Sequence, residues 1–226
     1  MTETASNLSL DVAIGVTIPA RDARGRAARI GPVLDSILSA HNYPAVVERL
    51  LAEALILTAL LGSLLKDPQG QMTLQAQTEN GAIDLLVCDY LGGELRGYVR
   101  HDPERLADLG PNPSLFALFG KGYLAITFDQ PVSDERYQGI VPLEGESLAR
   151  AAESFFAQSE QIPSVVRLAA EKRGEGWVAG GLLTVAGGDN VVRVLPPLNI
   201  DEAHIREFVE GLSAAAAEYE VPAAAA

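Results

Sequence analysis

The chain has 226 residues, 48% of them hydrophobic, which is enough to bury a substantial core in one or two domains and rules out a disordered chain. A formal net charge of −13 argues against nucleic acid, because such binding is dominated by cationic contacts to phosphate. One cysteine, Cys88, excludes an intramolecular disulfide, and the opening MTETASNLSL lacks the basic start and apolar run of a secretory signal, so a cytoplasmic protein is expected.

Taken in chain order, Leu10 to Pro19 and Arg24 to Ile30 read as strands. Four arginines between Arg21 and Arg29 form the one basic cluster, and a solvated strand face is the expected role. Pro32 suits the first turn of a helix reaching about Ala40. Pro44 opens a longer helix with apolar residues Val46, Val47, Leu50, Leu51, Ala54, Leu55, Leu57, Leu61 and Leu64. Apart from Glu53 it is apolar on most sides, which predicts a central position. Its charge-free run from Ala54 to Leu65 has twelve residues, whereas crossing a membrane takes about 20, so no membrane partner is expected. Asp67-Pro68 to Gly70 breaks the helix.

Gln71 to Gln77 and Ala82 to Tyr90 read as strands joined by a tight turn at Asn80-Gly81. Leu91-Gly92-Gly93 turns into a third strand, Glu94 to Arg100, and a meander is expected. A short helix near Pro113 to Phe119 precedes the strand Tyr123 to Phe128. Tyr137 to Leu143 is a further strand, Glu144-Gly145 a turn, and Leu148, Ala152, Phe155 and Phe156 recur at helical spacing until Pro163. Val165 to Glu171 and Trp177 to Val185 form a hairpin across Lys172-Arg173-Gly174. Strands following strands through short turns, with helices kept apart, predict an α+β fold: a largely antiparallel sheet with helices packed against it. Pro196-Pro197 then reads as a linker, Asp201 as an N-cap, and Ile205, Phe208, Val209 and Leu212 as one apolar helical stripe.

No set of residues here predicts an enzyme. There is no G-x-S-x-G nucleophile elbow, and Gly120-Lys121-Gly122 lacks the P-loop spacing and its Ser or Thr. Cys88 sits in an expected buried strand, where an inert core thiol is the ordinary role. His41 lies at a helix boundary, where it packs or caps, while His101 and His204 read as surface residues. Glu144, Glu146, Glu153 and Glu160 invite an acid–base reading, but Glu146 and Glu153 fall on an expected exposed helix face. One cysteine and three histidines cannot assemble the roughly four converging ligands of structural zinc, so no cofactor or metal is expected.

The segment from Tyr137 to Ser164, YQGIVPLEGESLARAAESFFAQSEQIPS, resembles the signature of the heat-shock protein 33 family of redox-regulated holdase chaperones. Arg24-Gly25-Arg26 and His41-Asn42-Tyr43-Pro44 are similar to that family's opening, Gly120 to Thr127 to its central strand, and Ala179 to Leu183 to the close of its core domain. These pieces span about residues 10 to 186 in the family's order. The resemblance implies a core domain over residues 1–187 and a linker-like segment over 188–226. It also implies an ATP-independent holdase that binds unfolded client proteins as a homodimer. The family's redox switch is a C-terminal zinc module with C-x-C and C-x-x-C pairs, for which this sequence has no cysteines, so the chaperone core without the switch is expected. The helix bearing Ile205, Phe208, Val209 and Leu212 would then cover client-binding surface, the alternative being an ordinary terminal helix that completes the core. The rival readings are an interaction module for one defined partner and an enzyme of unrecognised type on the same scaffold.

Overall fold

The computed structural model describes residues 11–18, 23–131, 135–143 and 146–186. Among them, β1 (Val12–Ile18) and β2 (Ala23–Ile30) form a hairpin followed by α1 (Pro32–Leu38) and α2 (Ala45–Gly62). Next come β3 (Gln71–Gln77), β4 (Ile83–Leu91), β5 (Glu94–His101), α3 (Pro103–Ala107), α4 (Leu115–Phe119), β6 (Tyr123–Gln130) and β7 (Glu135–Pro142). The described chain closes with α5 (Leu148–Phe155), β8 (Ser164–Arg173) and β9 (Gly176–Ala186).

The expected α+β architecture is present, but its strands divide into two antiparallel sheets, ordered β1-β2-β9-β8 and β5-β4-β3-β6-β7. Hairpin signals reveal which neighbours in sequence pair. They do not reveal that β2 pairs with β9, from Ala23↔Ala186 to Ile30↔Ala179. That distant pairing creates the four-stranded sheet.

Helix α2 holds the two sheets together. Thirteen of its eighteen residues are buried, from Val47 to Gly62, which an ordinary one-faced surface helix could not sustain. The lone buried hydroxyl on it, Thr58, donates to the Ala54 carbonyl at 2.7 Å. Period-two alternation in the strands supplies the matching faces: Met72, Leu74 and Ala76 of β3 are buried, and so are Ala28 and Ile30 of β2 with Ala179 and Leu183 of β9.

Three local differences from the sequence expectations have physical reasons. The Asn80-Gly81 signal does not make a two-residue turn. Residues 78–82 form a longer connection, closed by Thr78 N–H to Asp84 O at 3.1 Å and tied down by Thr78 Oγ1 to Lys121 O at 3.1 Å, with a register shift between Ile83 and Leu85. The tight turn is at Gly92-Gly93, where both residues have positive φ (59° and 93°), as a hairpin of this twist requires. Helix α3 went unread although Asp102-Pro103 is a start signal: the Asp102 carboxylate accepts from Glu104 N–H at 3.0 Å and Arg105 N–H at 3.2 Å.

Candidate functional site

The two sheets turn different outer faces away from α2. In the four-stranded sheet, Ile14 stands opposite Ala27, and Ala27 opposite Leu182, so these three share a row. Val16 belongs to the next row of the same face, which ends on Val165 of β8. Val16, Ala27, Val165 and Leu182, with Ile14 against them, form an apolar cluster separate from the main core. Val16 is only 4% exposed, although the helices around α2 pack on the opposite face.

The five-stranded sheet shows a polar ladder instead. Gln71, Thr73, Gln75 and Gln77 of its central strand alternate with the buried Met72, Leu74 and Ala76. Thr73 Oγ1 donates to Asp89 Oδ1 at 2.5 Å, and Arg96 Nε donates to the other Asp89 oxygen at 2.8 Å. Gln138 Nε2 reaches Thr127 Oγ1 at 2.8 Å, and the Tyr123 hydroxyl reaches Gln77 Oε1 at 3.1 Å. These side chains hydrogen-bond to one another along the sheet. Beside them the register places one mixed row, Tyr98–Val87–Gln75–Ala125–Ile140, whose ends Tyr98 and Ile140 are exposed, with Tyr123 exposed in the next row.

The signature segment closes the seam between the sheets. Helix α5, capped by the Ser147 hydroxyl on Arg150 N–H, packs on both β7 and β8, which are edge strands of different sheets. Gly139 explains the YQG motif: a Cβ there would lie 2.3 Å from Cε2 of Phe155, so only glycine lets that ring reach the strand. Phe155 is fully buried and meets Phe156 edge-on, with ring centroids 5.5 Å apart. The helix then widens into one π turn over Phe156–Glu160 and stops at Gln161, whose φ of 55° is left-handed.

Glu153 departs from the sequence reading. It is not on an exposed face: one oxygen accepts Val166 N–H at 2.9 Å and Arg167 Nη1 at 3.1 Å, and the other accepts Arg150 Nη1 at 2.8 Å. The carboxylate thereby satisfies a backbone donor on the outer edge of β8. Periodicity identified the helix but could not identify the strand edge beside it. Glu146 and Glu160 are exposed, Glu146 ahead of the helix, and Glu144 lies outside the described residues.

The remaining candidates have structural roles. Cys88 is buried beneath α2, and burial pushes its thiol pKa far up. His41 stacks on Tyr43 with centroids 4.8 Å apart, consistent with packing at the helix boundary. His101, expected at the surface, is half-buried and meets Tyr43 edge-on at 6.1 Å. The Tyr43 hydroxyl between them accepts Val99 N–H at 3.0 Å, closing part of the β5 edge. Burial also raises the Glu53 pKa, while the Arg49 guanidinium opposes the shift.

The arginines do not make one solvated face. The pairing places Arg24 and Arg26 on one side of β2 and Arg29 on the other. Arg26 turns inward and donates from Nε to the Ser63 carbonyl at 3.3 Å, where α2 leaves acceptors unpaired by helix bonds. Arg21, His204 and the stripe Ile205, Phe208, Val209 and Leu212 lie outside the described residues. Among the described residues no three His, Cys, Asp or Glu converge on a possible metal position, so the zinc of the resembled family has no fitting ligand set there. No described helix is long and apolar enough to cross a membrane.

The fold is two antiparallel sheets on one buried helix, with a buried apolar cluster on the outer face of one and a hydrogen-bonded polar ladder on the outer face of the other. The chain matches the family described as Hsp33 protein over residues 11–193. It is 44% identical over 188 residues to the 33 kDa chaperonin of Caulobacter vibrioides (strain NA1000 / CB15N), covering 79% of this chain and 62% of that protein. It is 39% identical over 170 residues to the 33 kDa chaperonin of Shewanella loihica, covering 75% and 56%. The crystal structure of the 33 kDa chaperonin (heat shock protein 33 homolog) of Thermotoga maritima superposes with a TM-score of 0.66 at 22% identity, covering 92% of this chain and 71% of that one. The chain therefore belongs to the Hsp33 family, as the signature read from Tyr137 to Ser164 implied. It spans about three fifths of the length of the relatives it matches.

Proposed function

We propose that this chain is an ATP-independent holdase core, cytoplasmic and homodimeric, that binds unfolding proteins and keeps them from aggregating. Family membership points to a chaperone rather than an enzyme. The observation that carries the reading is the apolar cluster Ile14, Val16, Ala27, Val165 and Leu182 on the outer face of the four-stranded sheet. Apart from Ile14 its members are buried, Val16 at 4% and Leu182 at 9% exposure, so the face captures apolar segments of a client once its cover is displaced. Solubility with such a face is aided by the net charge of −13, since self-repulsion opposes association.

The stripe Ile205, Phe208, Val209 and Leu212 is the proposed cover of that face. Four such side chains left in water would forgo roughly 1.5–3 kcal/mol each, and the outer face offers a matching apolar surface. Within these 226 residues Cys88 has no second thiol to resolve it, so client suppression by this chain is proposed to be the same after peroxide as after reductant.

Light scattering from a thermally unfolding client tests the reading. The chain at equimolar ratio suppresses aggregation, and the double change Val16→Asn with Leu182→Asn weakens suppression several-fold while far-ultraviolet dichroism stays unchanged. Deleting the chain after Pro197 increases apolar-dye binding and client capture. Absence of suppression by the unaltered chain overturns the proposal; cooperative unfolding lost on truncation overturns the cover.

A further inference from the structure

We propose that the distal half of the β8 edge, from Leu168 to Lys172, captures an extended segment of an unfolded chain by adding it to the four-stranded sheet as a fifth strand. This rests on the holdase reading and specifies how a client is held. The phase of the β8–β9 ladder carries the argument. The hairpin closes on Arg173↔Gly176 across two residues, so Arg173, Glu171, Ala169 and Arg167 direct their backbone groups toward β9. Lys172, Ala170, Leu168 and Val166 direct theirs outward. Val166 confirms this phase, because its N–H goes to Glu153 at 2.9 Å and its carbonyl accepts from Arg167 Nη1 at 3.0 Å.

The edge is therefore closed at Val166 and open beyond it. Among the described residues no hydrogen bond reaches the outward N–H and C=O of Leu168 or Ala170. Edge strands are ordinarily blunted by proline, bulges, short length or charged side chains. Of these β8 has the charged Glu171, Lys172 and Arg173 at its turn end and Arg167 beside Val166, leaving Leu168 to Ala170 uncharged. Strand β8 has ten residues, more than the other edge strands β1, β5 and β7, and its pairing runs without a register break. It contains no proline.

The chemistry of the occupant follows from this edge. Only an extended backbone offers alternating donors and acceptors at strand spacing, and main-chain pairing gives affinity without demanding one sequence. Leu168 and Ala170 stand half-buried at the rim of the main core, so every second side chain of the added strand gains an apolar neighbour. Along this edge Arg167 pairs with Glu153, Lys172 with Glu48 and Arg173 with Glu171, so the charges are balanced and the edge selects an extended backbone rather than a side-chain charge.

A fluorescent octapeptide of alternating valine and glutamate, and the same peptide N-methylated at three consecutive central residues, provide the test. Consecutive methylation removes donors from both edges of the peptide and leaves its side chains unchanged. The full chain binds the parent peptide at least about tenfold more tightly, a free-energy difference of about 1.4 kcal/mol. Ala170→Pro removes an outward N–H that the β8–β9 ladder does not use, so the variant keeps its melting temperature and loses the preference. Equal binding of the two peptides by the unaltered chain, or an undiminished preference in a folded Ala170→Pro variant, overturns the proposal. If the variant unfolds, the two peptides on the unaltered chain decide alone. Client aggregation measured on the same samples separates the two readings: suppression without peptide preference sinks the edge and leaves the holdase, whereas no suppression sinks the holdase.

Discussion

The two sheets are alike on the side that meets α2 and unlike on the side turned away from it. Inward, both place alternate apolar residues on a helix buried nearly all round, with Arg26 of β2 the polar exception at the end of α2. Outward, the four-stranded sheet carries Ile14, Val16, Ala27 and Leu182, whereas the five-stranded sheet carries Gln71, Thr73, Asp89 and Arg96 tied together by hydrogen bonds. A sheet serving only as scaffold has no need of a second apolar face. Under the proposed holdase reading, this difference distinguishes a supporting sheet from a candidate binding sheet.

The shared core is where this comparison can be broken most severely. Leu60 packs against Gly181 of β9, and Leu55 lies against Gly97 of β5, so one helix supports both sheets. Leu60→Ala and Leu55→Ala should each cost about 2–5 kcal/mol, since both side chains are fully buried. Denaturant unfolding followed by dichroism and by Trp177 fluorescence should give coincident single transitions in both variants. Separate transitions would mean that the sheets are independent units.

The seam comes next in size. Glu153→Ala leaves Val166 N–H without its acceptor and Arg150 and Arg167 without their shared carboxylate oxygens, which predicts a loss of about 1–3 kcal/mol. It also opens the proximal β8 edge, so hydrogen exchange at Val166 should accelerate while exchange in the five-stranded sheet stays as it was. A change confined to the wrong sheet would show that α5 does not seal β8.

A smaller effect is expected on the polar face. Thr73→Val removes the hydroxyl between Gln71 and Asp89, but Asp89 keeps Arg96, and the site is open to water. The cost should stay below about 1 kcal/mol, with client suppression unaltered. A marked loss of suppression would move the binding surface to the five-stranded sheet and reverse the assignment of the two faces.

Much of the inward half of this comparison was legible in the sequence. The all-round apolar run after Pro44 foretold a central helix, and β3 falls on Gln71–Gln77 as the alternation indicated. The family signature was legible as wording, while the reason for Gly139 emerged only once Phe155 lay 2.3 Å from where a Cβ would stand. The pairing of β2 with β9 has no local signal, and without it the rows Ile14–Ala27–Leu182 and Val16–Val165 cannot be assembled. Glu153 was misread for the same reason: helical spacing gives a residue's own face and is silent about the strand edge packed against it. The partner of Gln71 and Thr73, Asp89, is set by the β3–β4 register and has no signal within β3 itself.

The smallest expected effect is none at all, and it concerns Cys88. The thiol sits on the inner face of the five-stranded sheet, opposite Leu74 in the ladder, with no exposed surface. Burial raises its pKa, a hydrogen bond with Thr58 only partly opposes that shift, and nearby Asp89 adds to it. Peroxide and alkylating reagents attack the thiolate, so a thiol held protonated behind α2 is both chemically quiet and out of reach. Client suppression should be the same after peroxide as after reductant. The native chain should take up no thiol reagent until denaturant is added, when one equivalent reacts. A several-fold difference between oxidised and reduced samples, with Cys88 modified in the folded state, would show that the five-stranded sheet opens from α2 under oxidation. The supporting sheet would then be the responsive one.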